Sequence, residues 1–197
     1  MERAVVMAKE GQSIAMNSKA HRQMLKHLKS TRHPERDIAI YLLTYRAGMR
    51  IGSVAGLTMD DVVDVRGELK QVVVLRRKIT KGGKTITAYI NHPELQVALR
   101  AWIKARENKR FAPLFFSQKG SAFSPNSLSQ VMLKHYRNAG LEGYSSHSGR
   151  RGAISAWCKS GLDIVAVSKL AGHSSLNTTM RYIHHDQDEL MQVVAGV

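Results

Sequence analysis

His147-Ser148-Gly149-Arg150-Arg151 sets a histidine and an arginine three positions apart where a helix is expected to begin. The positive end of such a helix would add to the arginines' attraction for a phosphate. Gly172-His173-Ser174-Ser175 and then Thr178-Thr179-Met180-Arg181-Tyr182 contribute a second histidine and a tyrosine. Each run is weak by itself, since His-x-x-Arg recurs by chance and an isolated tyrosine is usually core or interface. Two other runs invite chemistry and do not hold it. Gly83-Lys84-Thr85 mimics the end of a phosphate-binding P-loop, but that motif needs a glycine at position 78, where Lys78 stands. His184-His185-Asp186 suggests a metal site, yet adjacent histidines seldom chelate one ion and no matching box exists elsewhere. Positioning of the Tyr182 segment or plain solvent exposure is the expected role of these residues.

These runs need a scaffold, and hydrophobic periodicity indicates one. Asn17-Ser18 offers an N-cap pair for a helix in which Met24, Leu25 and Leu28 recur at helical spacing. Pro34 opens a second helix at its first turn, where a missing N–H costs little. Its apolar stripe is Ile38, Ala39, Leu42 and Leu43, and Gly48 marks a stop or bend before Met49-Arg50. The period then changes. Val62-Val63-Asp64-Val65, a turn at Arg66-Gly67-Glu68, Val72-Val73-Val74-Leu75 and Thr85-Ile86-Thr87-Ala88-Tyr89-Ile90 predict a three-stranded antiparallel sheet. The loop between its second and third strands, 78–84, is the most basic short segment of the chain. From Pro93 on, helices are expected over 93–107, 124–139, 148–160, 163–171 and 176–184. The fold class is therefore α+β, mainly α-helical, with one small sheet. Trp102 and Trp157 fall among apolar helical residues and read as core.

Charge narrows the partners. Thirty Lys+Arg against fifteen Asp+Glu leave a net charge of +15 on 197 residues. Such a surplus concentrates polyanions around the molecule and points to nucleic acid. The basic segments 19–29 and 100–110 interleave with apolar residues, so they read as charged helix faces and not as disordered tails. Cys158 is the only cysteine, which excludes an intramolecular disulfide and a cysteine metal cluster. It lies in Ala-Ile-Ser-Ala-Trp-Cys, where a small buried thiol is expected. The first residues lack the apolar core of a signal peptide, and no stretch approaches the ~20 apolar residues of a membrane span. A reducing cytoplasm and no membrane partner are the expectation.

The order and spacing of the runs are more specific than any one of them. Ala47-Gly48-Met49-Arg50-Ile51, a basic hairpin lysine, His147-x-x-Arg150, Gly172-His173 and Tyr182 together resemble the catalytic domain of the tyrosine recombinases, the phage integrase family. The resemblance runs from about residue 18 to 185. It implies a catalytic domain over 18–185, preceded by a lead-in at 1–17 and followed by a tail at 186–197. That tail either folds on its own domain or is exchanged between protomers. Arg50 and Arg150 look like the two catalytic arginines, His147 and His173 like the histidines of the second and third boxes, and Tyr182 like the nucleophile. Lys81 looks like the hairpin lysine, with Lys84 or Lys78 as alternatives. Arg46, Arg151 and Arg181 read as phosphate contacts or surface charges.

The chemistry explains why such residues are needed. Two guanidiniums grip the non-bridging oxygens of a phosphodiester with paired, directional bonds that lysine cannot mimic. A phenol is mostly protonated at neutral pH, so His147 is cast as the acceptor of its proton and Lys81 as the donor to the leaving 5′ oxygen. The resemblance thus implies site-specific cutting and rejoining of double-stranded DNA through a 3′-phosphotyrosyl link, in integration, excision or inversion of a mobile element. It implies no metal, no ATP and no other cofactor, a homotetramer on paired DNA sites, and a place at the bacterial nucleoid or in a phage-infected cell. A type IB topoisomerase and an inactive DNA-binding regulator on the same fold are the competing readings.

The sequence also departs from the family pattern. Ser53 stands where many relatives carry an acid, Gly149 where leucine is common and Arg151 where histidine is common. Typical members carry a further N-terminal helical domain that completes a clamp on DNA. A natural single-domain enzyme, a phage remnant and a clipped fragment all fit a chain that starts almost at the catalytic domain.

Overall fold

The computed structural model describes residues 13–106, 113–117, 120–183, 191 and 194–195. The chain divides into two compact units, Met1–Ala153 and Ile154–Val197.

The first unit is built around a helix buried on nearly every side. Helix α1, Ser18–Leu28, starts where the Asn17 carboxamide accepts from the Ala20 amide at 2.9 Å. Helix α2, Pro34–Tyr45, begins with proline at its first turn and buries Ala39 through Leu43 without a break. The expected one-sided stripe is therefore too narrow, because α2 packs against both α1 and α5 and has no broad solvent face. Its one buried carboxylate is matched: Asp37 accepts from Arg36 Nε at 2.9 Å and Thr31 Oγ1 at 3.0 Å, and pairs with His135 Nε2 at 3.3 Å. Short helices α3, Ile51–Ala55, and α4, Met59–Val62, follow, and α5, Pro93–Ala105, and α6, Pro125–Asn138, complete the packing. Trp102 is core as expected, with Nε1 donating to Leu114 O at 2.9 Å.

The sheet has two strands, not three. Strands β1, Val72–Leu75, and β2, Ile86–Tyr89, pair antiparallel with Val72 opposite Tyr89 and Leu75 opposite Ile86. The expected first strand is diverted by a capping box. Thr58 N and Oγ1 both donate to Asp61 Oδ2, at 2.8 and 2.9 Å, which winds Met59–Val62 into a helical turn. Only Val63 reaches an extended pairing, a single bridge to Leu69. Val73, Leu75 and Ala88 point into the core, so register is fixed by one apolar face.

Helix α7, Ser148–Lys159, closes the first unit and opens the second. In the second unit, Asp163 caps α8, Ile164–Ala171, by accepting from Val165 N and Ala166 N. Its small core is Ile154, Val167 and Ala171, with Trp157, Cys158 and Tyr182 packed around it. Trp157 and Cys158 are thus half-buried, less than expected, and burial raises the thiol's pKa. Helix α9 spans Leu176–Met180 and stops short of the expected residue 184, leaving Arg181 and Tyr182 in a turn. The His184-His185-Asp186 run and most of the tail lie outside the described residues. No helix among the described residues is long and apolar enough to cross a membrane.

Candidate active site

In the first unit, Arg150 is bonded to the backbone two residues before Arg50. The chain leaves α2 through Ala47, Gly48 and Met49, all buried, and Gly48 takes the left-handed conformation with φ 61°. That bend starts a new helix at once, with Arg50 as the N-cap of α3. It also presents the Gly48 carbonyl to Arg150, whose Nη1 donates to it. Arg150 is only 8% exposed, so its charge has little water around it and acts at full strength on whatever enters.

Gly149 makes this approach possible. A β-carbon there would collide with Thr44 Oγ1 and lie 3.3 Å from the Tyr45 amide. The departure from leucine at this position lets the first turn of α7 rest directly on the end of α2, one residue from Arg150.

His147 stands just before α7 and accepts the Arg151 amide through its carbonyl at 2.9 Å. Its side chain is exposed, yet its pKa is held below the ordinary histidine value. Loss of hydration is the largest cause, followed by the positive charges of Arg150, Arg50, Arg151 and Lys81. Those four cations therefore share one neighbourhood with His147. A neutral imidazole is the form able to take a proton, so the site favours the state a base needs. Lys81 lies on the exposed β1–β2 loop, and its charge is among those that lower the His147 pKa.

In the second unit, Gly172 ends α8 in the left-handed conformation and turns the chain into His173. His173 Nδ1 and the hydroxyl of fully buried Thr179 share a 2.8 Å hydrogen bond, which fixes the ring plane. The Tyr182 ring stacks on it, with centroids 6.1 Å apart and planes inclined by 24°. Tyr182 N donates to Thr179 O at 2.9 Å, so one threonine holds the His173 ring and the backbone of Tyr182. Tyr182 remains partly open to solvent.

The model of the Phage integrase family matches residues 15–189, a span holding all six of these side chains. The chain belongs to the phage integrase family. This family member is similar to the tyrosine recombinase XerC of Caldanaerobacter subterraneus, 32% identical over 166 residues, which covers 81% of this chain and 44% of that protein. It is similar also to the tyrosine recombinase XerD of Corynebacterium glutamicum, 32% identical with coverage of 82% and 52%. The chain spans about half the length of the curated relatives it matches. Among solved structures, XerA recombinase superposes with a TM-score of 0.75 at 20% identity, covering 98% of this chain and 66% of that one. XerH recombinase bound to its difH substrate gives 0.69 at 22% identity, with 97% and 56% covered. The fold is the catalytic-domain fold of these proteins.

Some residues of this integrase-family site were not legible in the sequence. Thr179 was read only as part of a run, although its six-residue spacing from His173 across a short helix was a usable signal. Arg46, expected on phosphate or at the surface, is instead tied to Glu94 at 2.6 Å and lies over the Tyr45 ring, so its charge is spent inside the fold. Among the described residues, no group of three or more His, Cys, Asp or Glu side chains is arranged to hold a metal.

Proposed function

We propose that the protein is a site-specific recombinase that cuts and rejoins double-stranded DNA through Tyr182. The observation that carries this reading is the gathering of Arg50, Arg150, Arg151 and Lys81 on His147. Positive charge concentrated around one imidazole favours the approach of an anion, and a DNA phosphate is such an anion.

In this reading Arg50 and Arg150 bind the non-bridging oxygens, joined by His173. Tyr182 Oη forms a bond to phosphorus while the bond from phosphorus to the 5′ oxygen breaks. The phenolic proton passes to His147, and Lys81 gives a proton to the departing 5′ oxygen. The products are a 3′-phosphotyrosyl enzyme and a 5′ hydroxyl, and attack by a second 5′ hydroxyl reverses the steps on a new partner. The ester bond is exchanged rather than hydrolysed, so rejoining needs no ATP. Arg, Lys and His neutralise the phosphate, so no metal is called for. Donors placed in advance on the transition-state oxygens are each worth about 3 kcal/mol.

A homotetramer on paired sites and a home at the nucleoid belong to the same proposal. The net charge of +15 supports DNA as the partner and implies that affinity falls steeply with salt as counterions are released. The deciding experiment selects bound duplexes from random DNA and tests the winner for a covalent adduct. Wild type should give the adduct and Tyr182→Phe none. Equal absence of adduct from both would end the enzymatic reading and leave a DNA-binding regulator, while relaxation of any supercoiled plasmid without site preference would favour a topoisomerase.

A further inference from the structure

The β1–β2 loop is clamped at its stem and open at its tip. Arg76, directly after β1, donates to both carboxylate oxygens of Asp61 at 2.9 and 2.7 Å and to Gly56 O at 2.9 Å. A single 3-10 turn, Arg77–Ile79, follows. The Ile79 side chain lies so close over Gly56 that a β-carbon there would come within 2.9 Å of Ile79 Cβ. Ser53, 4% exposed, donates from Oγ to Ile79 O at 2.8 Å. Thr80 Oγ1 closes the neck by donating to Lys84 O at 2.6 Å. Beyond that neck Lys81 through Lys84 are exposed, and a β-carbon added at Gly82 or Gly83 would meet nothing within 4 Å.

We propose that Ser53 is the positioning residue for Lys81, an inference that rests on Lys81 being the proton donor of strand cleavage. Arg50 caps α3 and Ser53 lies within it, so the proposed phosphate-binding cation and the anchor of the lysine loop are three residues apart on one short element. Ile79 precedes Lys81 by two positions. Fixing its carbonyl sets where the loop springs from relative to Arg50, while the glycines leave the ammonium free to reach the 5′ oxygen and withdraw. The anchor has to be a donor, because Ile79 O only accepts. A carboxylate at position 53, the residue type common in the family, would face that carbonyl oxygen and push the stem away. The departure at Ser53 is therefore a rewiring of the site, and it acts on Lys81 without touching substrate.

The test uses the full chain and the selected duplex, made once with an ordinary scissile phosphodiester and once with sulfur replacing the bridging 5′ oxygen. A thiolate leaves without needing a proton, so a defect in proton donation disappears on the sulfur duplex. Ser53→Ala should slow single-turnover adduct formation about tenfold on the oxygen duplex, the scale of one lost hydrogen bond, and match wild type on sulfur. Ser53→Cys, nearly the same size but a poor donor, should behave likewise and covers the case in which the alanine variant does not fold. Ser53→Thr should keep the wild-type rate on both duplexes, and Ser53→Asp should be at least as slow as alanine on oxygen. A Ser53→Ala or Ser53→Cys defect of equal size on both duplexes, or none on oxygen, overturns the inference and leaves the proposed function standing. Absence of adduct from wild type on both duplexes removes that function itself.

Discussion

Arg150 and Lys81 are assigned to the same phosphate, yet the protein holds them in opposite ways. The guanidinium of Arg150 is almost wholly buried, bonded to the Gly48 carbonyl and carried on a helix that a glycine lets rest on the central helix. The ammonium of Lys81 stands on an exposed loop whose tip meets nothing and whose stem is fixed by a few polar bonds. The difference follows from the tasks. Charge that stabilises a transition state is most effective when it needs no rearrangement during the reaction, so it is built into the core. A proton donor must approach an oxygen that moves away, so it sits on a tether whose root, and not whose tip, is defined.

Several substitutions can break or sharpen that contrast. The largest effect is expected at Arg150. Arg150→Ala should lower the single-turnover adduct rate by roughly a hundred- to a thousandfold, with Arg150→Lys recovering little because one ammonium cannot reproduce the planar fork. A lysine variant as fast as wild type would show that fixed geometry is not what the burial provides. Lys81→Ala should cost about a hundredfold on the oxygen duplex and little on the sulfur one. If Lys84→Ala or Lys78→Ala shows that pattern instead, the donor has been assigned to the wrong lysine.

Next comes the contact that seats α7. Gly149→Ala should destabilise the protein by about 1–3 kcal/mol in urea denaturation, and removing the opposing hydroxyl with Thr44→Ala should return part of that loss. Additive losses in the double variant would contradict the collision between the two positions.

The smallest effect concerns His147. Its pKa lies below 6.5, so the neutral, proton-accepting form persists as pH falls and is lost only when pH drops through the lowered value. The acid limb of kcat/KM for cleavage should therefore lie below pH 6.5. Arg151→Gln removes one of the cations that depress it and should move the limb upward. A limb that stays in place would separate Arg151 from the site.

Much of the helical frame was readable because it rests on local rules. Asn17 as a cap, Pro34 at a first turn and the helical spacing of Met24, Leu25 and Leu28 depend on neighbours a few residues away. The expected first strand failed for a local reason that was also present in the sequence. Thr58 and Asp61 at capping-box spacing outweighed the β-branched run that follows them. Helix α2 misled through its surroundings, since a helix packed on two sides carries no clean stripe.

What the sequence by itself supplied is the family and, with it, the proposed set of reactive side chains in their order, because nucleophile, base, acid and phosphate grip each demand a particular functional group. Which charges are engaged within the fold was decided only by tertiary structure. Arg46 looks in the chain like a phosphate contact or a surface charge, but Glu94, 48 residues away, engages it. Ser53 reads as a lost acid until the fold brings it to Ile79, 26 residues on. Pairings across such separations depend on how whole helices pack, and local spacing holds no record of them.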